Sequence, residues 1–387
     1  MRGKSMGPDM EDRRPDDGMA DKRTDDGMAD TPVGERRGPE MNDRIELAPG
    51  YDISRIIVGG WQLSRGHGGG IPAGESPRSF LSGLAELGFT TFDCADIYTG
   101  VEETLGDFLA HYRRERPGTP IRIHTKFVPD LDILPTITRS YVERIILRSL
   151  GRLGVEALDL VQFHWWDFNT PGFVEAARWL DDLRRAGKIR HLGVTNVDRD
   201  HLAHLVDAGI PILSNQVQYS VLDRRPARAL ASYCREKGIA LLCYGGLAGG
   251  FLTDAWLGMA RPPEEPANRS LVKYRLIIQE MGGWGAYQGI LKALDTAARR
   301  HRVSVPAVAL RWVLDQPAVA ATITGLDSLE QARETRRAME LELDGEDRAA
   351  LDAALSAARI PRGPVYGLER DREGPHGRIM KYDLNRE

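Results

Sequence analysis

Residues 92–109 read FDCADIYTGVEETLGDFL and place a buried-strand pattern directly before a helix start. A short apolar run ends at Asp93, and a second carboxylate, Asp96, and a phenol, Tyr98, follow within five residues. Two glutamates then favour the positive end of a helix dipole. The stretch therefore predicts one strand–helix unit. Its acids either cap that helix or belong, together with Tyr98, to a catalytic site.

The same alternation of a short strand and a longer helix repeats along the chain. The eight strand candidates are IIVGG (56–60), TTFDC (90–94), IRIHTK (121–126), LDLVQFH (158–164), HLGVTN (191–196), ILSNQV (212–217), IALLCY (239–244) and AATITG (320–325). Eight such units in one chain of this size predict an α/β fold, a closed (β/α)8 TIM barrel. The rival, a doubly wound open sheet, needs a GxGxxG turn after its first strand. The segment GGWQLSRGHGGG at 59–70 does not fit that motif, so we favour the barrel.

Three further segments surround or interrupt the repeating units. The turn residues Pro49 and Gly50 predict an N-terminal hairpin before the first barrel strand. A connection of about forty residues after Tyr244 predicts a long loop behind strand 7, of the kind that often serves function. A helix is predicted over 344–359. The polar tail behind it either covers one end of the barrel or runs along the barrel's outer surface.

The first 40 residues differ in composition from the rest of the chain. They contain 19 charged residues and no aromatic residue, so they have too little apolar surface to offset the entropy cost of folding. We interpret residues 1–40 as a disordered N-terminal extension and residues 41–387 as the barrel domain with its C-terminal tail. Met41 precedes the first globular pattern and is a candidate natural start.

The overall composition is that of a globular protein, with 42% hydrophobic and 28% charged residues. A formal net charge of −4 argues against a nucleic-acid partner, because such proteins usually carry a basic surplus. No uninterrupted apolar run approaches the ~20 residues of a membrane span. Cys94, Cys234 and Cys243 lack CxxC spacing and are expected to be reduced and buried, which favours the cytoplasm. No feature of the sequence indicates an oligomeric state.

Polar side chains with catalytic chemistry follow three successive strand candidates. Asp93 and Tyr98 follow strand 2, Lys126 ends strand 3 and His164 ends strand 4. A barrel gathers its catalytic residues at this end of its strands. A single lysine here is usually solvated and a single histidine usually packs in the core, but the four together point to catalysis. A metal-dependent hydrolase would need a His-x-His pair on strand 1, which is absent from the sequence, so no metal site is expected.

Six motifs resemble those of the aldo-keto reductase superfamily, in order and at barrel spacing, over about residues 45–340. They are FDCADIYTGVEETLGDFL, IHTKF, DLVQFHWWD, GKIRHLGVTN, SNQVQYSVLDR and LLCYGGLAGGFLT. The resemblance implies NAD(P)H-dependent hydride transfer between a nicotinamide and an aldehyde, ketone or sugar carbonyl. It implies that Tyr98 is the general acid/base, that Asp93 holds Lys126, and that Lys126 and His164 tune proton transfer, His164 also orienting the carbonyl oxygen.

The resemblance also implies a cofactor site along the later strand ends. The positions that match the nicotinamide-binding residues are Thr195, Asn196, Gln216 and Tyr244, whose ring would stack on the nicotinamide. The positions that match the pyrophosphate crossing are Gly245, Leu247 and Gly249. The positions near the adenosine are Gly325, Asp327 and Gln331. NADP is the family's usual cofactor. The carboxylate of Asp327 would repel the 2′-phosphate of NADP, however, so NAD stays an alternative.

The substrate pocket is expected to be aromatic and apolar, suited to a small-molecule carbonyl or alcohol. Its candidate residues follow strand ends 1 to 4 and are Trp61, Ile97, Phe127, Trp165 and Trp166. Two adjacent tryptophans cannot face the same way on a strand. At least one is therefore expected to reach the rim, by which we mean the edge of the barrel formed by the carboxyl ends of its strands. A second functional hypothesis is a regulatory barrel protein that binds the cofactor without significant turnover.

Overall fold

A two-stranded hairpin opens the described part of the chain in this computed structural model, which describes residues 43–64, 71–72, 74–262 and 268–385. Strands β1 (Arg44–Ala48) and β2 (Tyr51–Ser54) pair antiparallel across a turn at which Gly50 has a φ of +72°. That left-handed conformation favours glycine. The predicted hairpin is thus confirmed, whereas the predicted extension over 1–40 lies outside the described residues.

Eight parallel strands close into a barrel behind the hairpin. They are β3 (Ile56–Gly59), β4 (Thr91–Asp93), β5 (Arg122–Phe127), β6 (Leu158–Phe163), β7 (Ile189–Thr195), β8 (Ile212–Gln218), β9 (Ala240–Tyr244) and β10 (Val319–Thr324). Each strand pairs with its sequence neighbour, and β10 pairs with both β9 and β3 to close the ring. The closed ring confirms the predicted barrel and excludes the open doubly wound sheet.

Helices connect the strands and cover the barrel. They are α1 (Pro77–Glu86), α2 (Val101–Glu115), α3 (Arg139–Leu153), α4 (Phe173–Arg185), α5 (Arg199–Asp207), α6 (Ala229–Lys237), α7 (Arg269–Glu280), α8 (Trp284–His301), α9 (Val305–Leu314), α10 (Leu329–Arg336), α11 (Gly345–Ser356) and α12 (Gly367–Arg370). Local signals set their ends: the Ser76 side chain caps α1 by accepting from the Ser79 amide, and Gly154 ends α3 in a left-handed conformation. In the described ranges, no helix has both the length and the apolar character that a membrane crossing requires.

The long connection after β9 contains more regular structure than the sequence predicted. Helix α7 occupies its second half and buries an apolar stripe formed by Leu271, Tyr274, Ile277 and Ile278. These residues recur at helical spacing, so the signal was present in the sequence. The prediction of one long loop is therefore corrected to a loop that contains a packed helix.

The hairpin seals the amino end of the barrel. Tyr51 and Ile53 pack with Ile57, Leu160 and other residues that point into the barrel interior. A larger hydrophobic layer lies between the strands and the surrounding helices. Because one end of the barrel is plugged by the hairpin, the polar strand ends are left at the opposite, carboxyl end.

Candidate active site

A buried ion pair joins the ends of β4 and β5. The Lys126 ammonium donates to an Asp93 carboxylate oxygen and, at 2.8 Å, to the backbone oxygen of Cys94. Both side chains are buried. Burial by itself would lower the pKa of Lys126, but the adjacent Asp93 carboxylate and Tyr98 raise it above its ordinary value. The lysine therefore carries a positive charge at the barrel rim at every physiological pH.

The second oxygen of Asp93 is held by two glutamine side chains. It accepts from Gln162 Nε2 at 2.8 Å and from Gln216 Nε2 at 2.7 Å, and Gln216 also donates to Gln162 Oε1 at 2.8 Å. Sequence reasoning missed Gln162, although it lies two residues before His164 and so faces the same side of its strand. Gln216, which was predicted to bind the cofactor, uses its amide nitrogen within this network.

Tyr98 lies above this ion pair in the turn between β4 and α2. The Lys126 nitrogen is 5.1 Å from the centre of the Tyr98 ring, and the Trp61 ring meets it edge-on at 4.9 Å. Burial raises the pKa of the Tyr98 phenol, and the charge of Lys126 opposes that increase. The phenol is half-buried, and its protonated form is the stable one near neutral pH.

His164 follows β6 and is neutral. Burial, reinforced by the charge of Arg370, lowers its pKa to about 3. Its Nδ1 lies 3.3 Å from the Thr195 backbone oxygen, which can only accept, so the ring proton sits on Nδ1. Nε2 therefore carries the lone pair, and within the described chain it has no hydrogen-bond partner. The imidazole is thus poised to accept a hydrogen bond from a hydroxyl.

Two predicted cofactor residues are in contact at the ends of β7 and β9. The Tyr244 hydroxyl donates to Asn196 Oδ1 at 2.8 Å, and Asn196 has a φ of +60°. Such a conformation is uncommon for a residue other than glycine and often marks a functional site. Thr195 is buried, and its hydroxyl donates to the Gln216 backbone oxygen at 3.2 Å. The structure thus brings together all four positions predicted at the nicotinamide.

The loop after β9 carries two of the predicted pyrophosphate residues where only glycine fits. Gly245 and Gly249 have φ values of +75° and +64°. A Cβ on Gly245 would lie 2.1 Å from the Tyr274 hydroxyl, and one on Gly249 would lie 2.7 Å from the Tyr274 ring. Leu247 is half-buried between them. Tyr274 therefore packs directly against this loop, and the contact requires glycine at both positions.

The predicted adenosine residues lie at the other side of the rim, after β10. Asp327 and Gln331 are exposed, and the Asp327 amide donates to Gln331 Oε1 at 2.7 Å at the start of α10. Gly325 lies against the side chain of Gln62, which follows β3. These residues form a polar edge of the rim, apart from the aromatic side.

The predicted substrate residues divide into two groups. Trp61 and the half-buried Ile97 lie beside Tyr98, and the Trp166 ring meets His164 edge-on at 4.3 Å. In contrast to the prediction, Phe127 and Trp165 lie in the layer between the strands and the helices, where both pack against Phe163 and are fully buried. Phe127 follows Lys126 on one strand, so alternation turns it away from the rim.

A C-terminal strap, residues 359–385, crosses the carboxyl end of the barrel. The Tyr366 ring meets the His164 ring edge-on at 5.6 Å. Arg370 donates to the backbone oxygens of Asn196 and Trp165, at 2.7 and 3.1 Å. Further along, Asn385 donates to the Val128 backbone oxygen behind β5 at 2.6 Å. Of the two sequence alternatives for the tail, the structure therefore has the one in which it covers the rim.

Buried charges anchor the strap. Arg225 donates from its two terminal nitrogens to the two oxygens of Glu369, at 3.0 and 3.1 Å, and it also binds Asp223. All three groups are almost fully buried. Burial would raise the pKa of Glu369, but Arg225 and Lys273 outweigh that and lower it to about 2. None of these residues was singled out in the sequence, because nothing local links Arg225 to a residue so far along the chain.

Known proteins show the same architecture and sequence pattern. The glycerol dehydrogenase of Gluconobacter oxydans is similar in structure, with a TM-score of 0.67 and 25% identity, over 83% of this chain and 97% of that one. Flagellar radial spoke protein 5 of Chlamydomonas reinhardtii is 31% identical over 57% of this chain and 49% of its own length. The NADH-specific methylglyoxal reductase of Escherichia coli is 29% identical over 57% of this chain and 66% of its own length.

The chain thus spans about half of the radial spoke protein's length and 66% of the reductase's. A model of the Aldo/keto reductase family matches residues 55–356, which include every barrel strand. The match therefore covers the rim with Asp93, Tyr98, Lys126 and His164. The chain belongs to the aldo/keto reductase family.

Proposed function

We propose that this protein is an NAD(P)H-dependent aldo-keto reductase with Tyr98 as its general acid/base. It would transfer a hydride between a nicotinamide and the carbonyl carbon of an aldehyde, ketone or sugar, or run the reverse reaction on an alcohol. The observation that carries the proposal is the buried Lys126–Asp93 pair directly beside the Tyr98 ring. A charged ammonium at that position stabilises a phenolate, which is what a tyrosine must become when it gives up its proton.

The residues around the reacting centre have separate roles in this proposal. A bound nicotinamide would supply the hydride, and the Tyr98 hydroxyl would give its proton to the substrate oxygen. Lys126 offsets the negative charge left on the phenol, while Asp93, clamped by Gln162 and Gln216, holds Lys126 in place. His164 is neutral and has its lone pair on Nε2. This nitrogen can therefore accept a hydrogen bond from the hydroxyl of Tyr98 or of the product alcohol, but it cannot donate one to a carbonyl.

The rim offers the groups that a nicotinamide dinucleotide needs. Tyr244 would stack on the nicotinamide, with Asn196 and Gln216 beside its carboxamide. The glycine loop is the proposed pyrophosphate site, because Gly245 and Gly249 have no side chain that would keep a phosphate away from the backbone. We assign NADP as the cofactor because it is the usual one of the family. NAD is the alternative, because the Asp327 carboxylate is exposed at the predicted adenosine edge, where it would repel a 2′-phosphate, and because one relative is named NADH-specific.

The substrate in this proposal is a small carbonyl compound that packs against aromatic side chains. Trp61 and Trp166 flank Tyr98 and His164, and Tyr366 of the strap completes this side of the rim. We also assign the protein to the cytoplasm, because Cys94, Cys234 and Cys243 are all buried as free thiols.

A second candidate function is a regulatory barrel that binds the cofactor without useful turnover. The relative named as a flagellar radial spoke protein supports it, because that name describes a component of an assembly. The complete set of Asp93, Tyr98, Lys126 and His164 at the rim favours the enzyme.

Cofactor binding followed by single turnover tests the two candidates. The full-length protein is titrated with NADPH and with NADH, following the fluorescence of the rim tryptophans. The NADPH complex is then mixed with aromatic, aliphatic and sugar aldehydes. We expect saturable binding and oxidation of the bound NADPH by at least one aldehyde class. Tight binding with no oxidation by any of them would favour the regulatory protein.

The pH dependence of turnover is expected to show no imidazole titration between about pH 5 and 8. His164 has a pKa of about 3, so it remains neutral throughout this window. The check is kcat/KM measured across the range for the wild type and for His164→Gln. An inflection near the ordinary histidine pKa that is present in the wild type and lost in the variant would show that the ring titrates during catalysis.

A further inference from the structure

Lys273, on α7, is a cation without an anion. Its nitrogen lies over three tyrosine rings, 5.1 Å from Tyr244, 5.7 Å from Tyr274 and 5.8 Å from Tyr366. Among the residues that the structure describes, it has no hydrogen bond and no ion pair. Partial burial lowers its pKa, and the charge of Glu369 opposes that decrease through space.

Two other buried cations at the rim have a carboxylate in direct contact, whereas Arg370 donates only to two backbone oxygens. Lys126 has the Asp93 carboxylate and a backbone oxygen, and Arg225 has the carboxylates of Asp223 and Glu369. Glu369 also favours the charge on Lys273 through space, but both of its oxygens already accept from Arg225. Lys273 is half-buried, and its charge has tyrosine rings but no anion in direct contact, so this position can accept an anion.

The surroundings of Lys273 show where that anion would lie. The next residue, Tyr274, packs directly against the glycine loop, with its hydroxyl at Gly245 and its ring at Gly249. Tyr244 immediately precedes that loop and carries the ring nearest to the ammonium. Lys273 therefore lies beside the aromatic ring proposed for the nicotinamide and beside the tyrosine that packs on the glycine loop.

We propose that Lys273 is the cationic partner of the cofactor's pyrophosphate, an inference that rests on the proposed function. A pyrophosphate bridge carries two negative charges, and a lysine is a compact charge on a flexible stem that reaches such a group. The sequence motifs did not point to this residue, because it lies on a helix inside the long connection rather than at a strand end. The aromatic rings hold the ammonium near the loop by cation–π contacts until the phosphates arrive.

ADP-ribose tests the proposal, because it contains the pyrophosphate but lacks the nicotinamide. Its binding to the full-length wild type, Lys273→Gln and Lys273→Arg is measured by calorimetry, and NADPH binding by fluorescence. We expect Lys273→Gln to bind both ligands about tenfold to a hundredfold more weakly, the usual loss for a charge-assisted contact. Lys273→Arg should recover part of the affinity. The wild type should also lose affinity with added salt more steeply than Lys273→Gln does.

Lys292→Gln is the matched control, since Lys292 is an exposed lysine on the neighbouring helix α8. It should bind ADP-ribose as the wild type does, and circular dichroism should show that all variants are folded at the assay temperature. Unchanged ADP-ribose affinity in Lys273→Gln would overturn the inference while leaving the reductase proposal intact. A raised KM confined to carboxylate-bearing aldehydes would overturn it too, in favour of a substrate anion. Failure of the wild type to bind any of these nucleotides would overturn both proposals.

Discussion

Tyr98→Phe is expected to lower kcat by roughly 10²- to 10⁴-fold, the usual contribution of a positioned acid/base group. The change removes the only atom of Tyr98 that can give a proton to the alkoxide. It leaves the ring, so the edge contact with Trp61 at 4.9 Å and the nearby Lys126 are retained. NADPH affinity should therefore stay within about twofold of the wild type, because the ring and not the hydroxyl does the packing.

The measurement is steady-state turnover with the best aldehyde from the single-turnover screen, together with an NADPH titration of the same sample. Tyr112→Phe is a suitable control, because Tyr112 is a buried tyrosine of α2 that packs against Phe108 in the core. It should turn over at nearly the wild-type rate. A kcat for Tyr98→Phe close to that of the control would remove Tyr98 from its proposed role.

Glu369→Ala is expected to lower the free energy of unfolding by about 3 kcal/mol, the lower part of the range for breaking a buried ion pair. The loss leaves Arg225 almost fully buried with Asp223 as its remaining carboxylate. The same contribution should fade at acid pH. Because Arg225 and Lys273 outweigh burial and lower the pKa of Glu369 to about 2, stability is retained above its ordinary pKa of 4.5 and is lost as the pH falls towards 2.

Denaturant unfolding of the two strap variants Glu369→Ala and Glu373→Ala isolates this effect. Glu373 belongs to the same strap, but its side chain is 91% exposed and it only approaches Arg378 at 3.6 Å. Removing it should change stability by less than about 0.5 kcal/mol. Equal stability of the two variants would mean that the Arg225–Glu369 pair does not anchor the strap.

The barrel could be predicted because its signals are local. Each strand is a short apolar run between turn residues, and capping residues such as Ser76 and Gly154 act within a few positions of the helix ends that they define. The main error, the missing helix α7, arose because glycines and prolines earlier in the connection obscured its apolar stripe.

Part of the candidate site could also be predicted from the sequence. Asp93, Lys126 and His164 end or follow neighbouring strands, so the barrel alone brings them to one rim. Period-two alternation would also have placed Gln162 there and turned Phe127 away from it. Asp96 has no partner in the sequence pattern, yet in the structure it is buried and accepts from the Val128 amide at 3.2 Å.

The sequence by itself determined the order of the strands, the family, and the end of the barrel at which the proposed catalytic groups lie. Only the tertiary structure decided that the C-terminal strap covers the rim and which buried charges lie beside it. Arg225 meets Glu369 across 144 positions of sequence, and Lys273 reaches Tyr366 of the strap from a helix in another connection. Such pairings form only when segments that are far apart in sequence pack together. The sequence around a single charged residue therefore does not show which partner it will have.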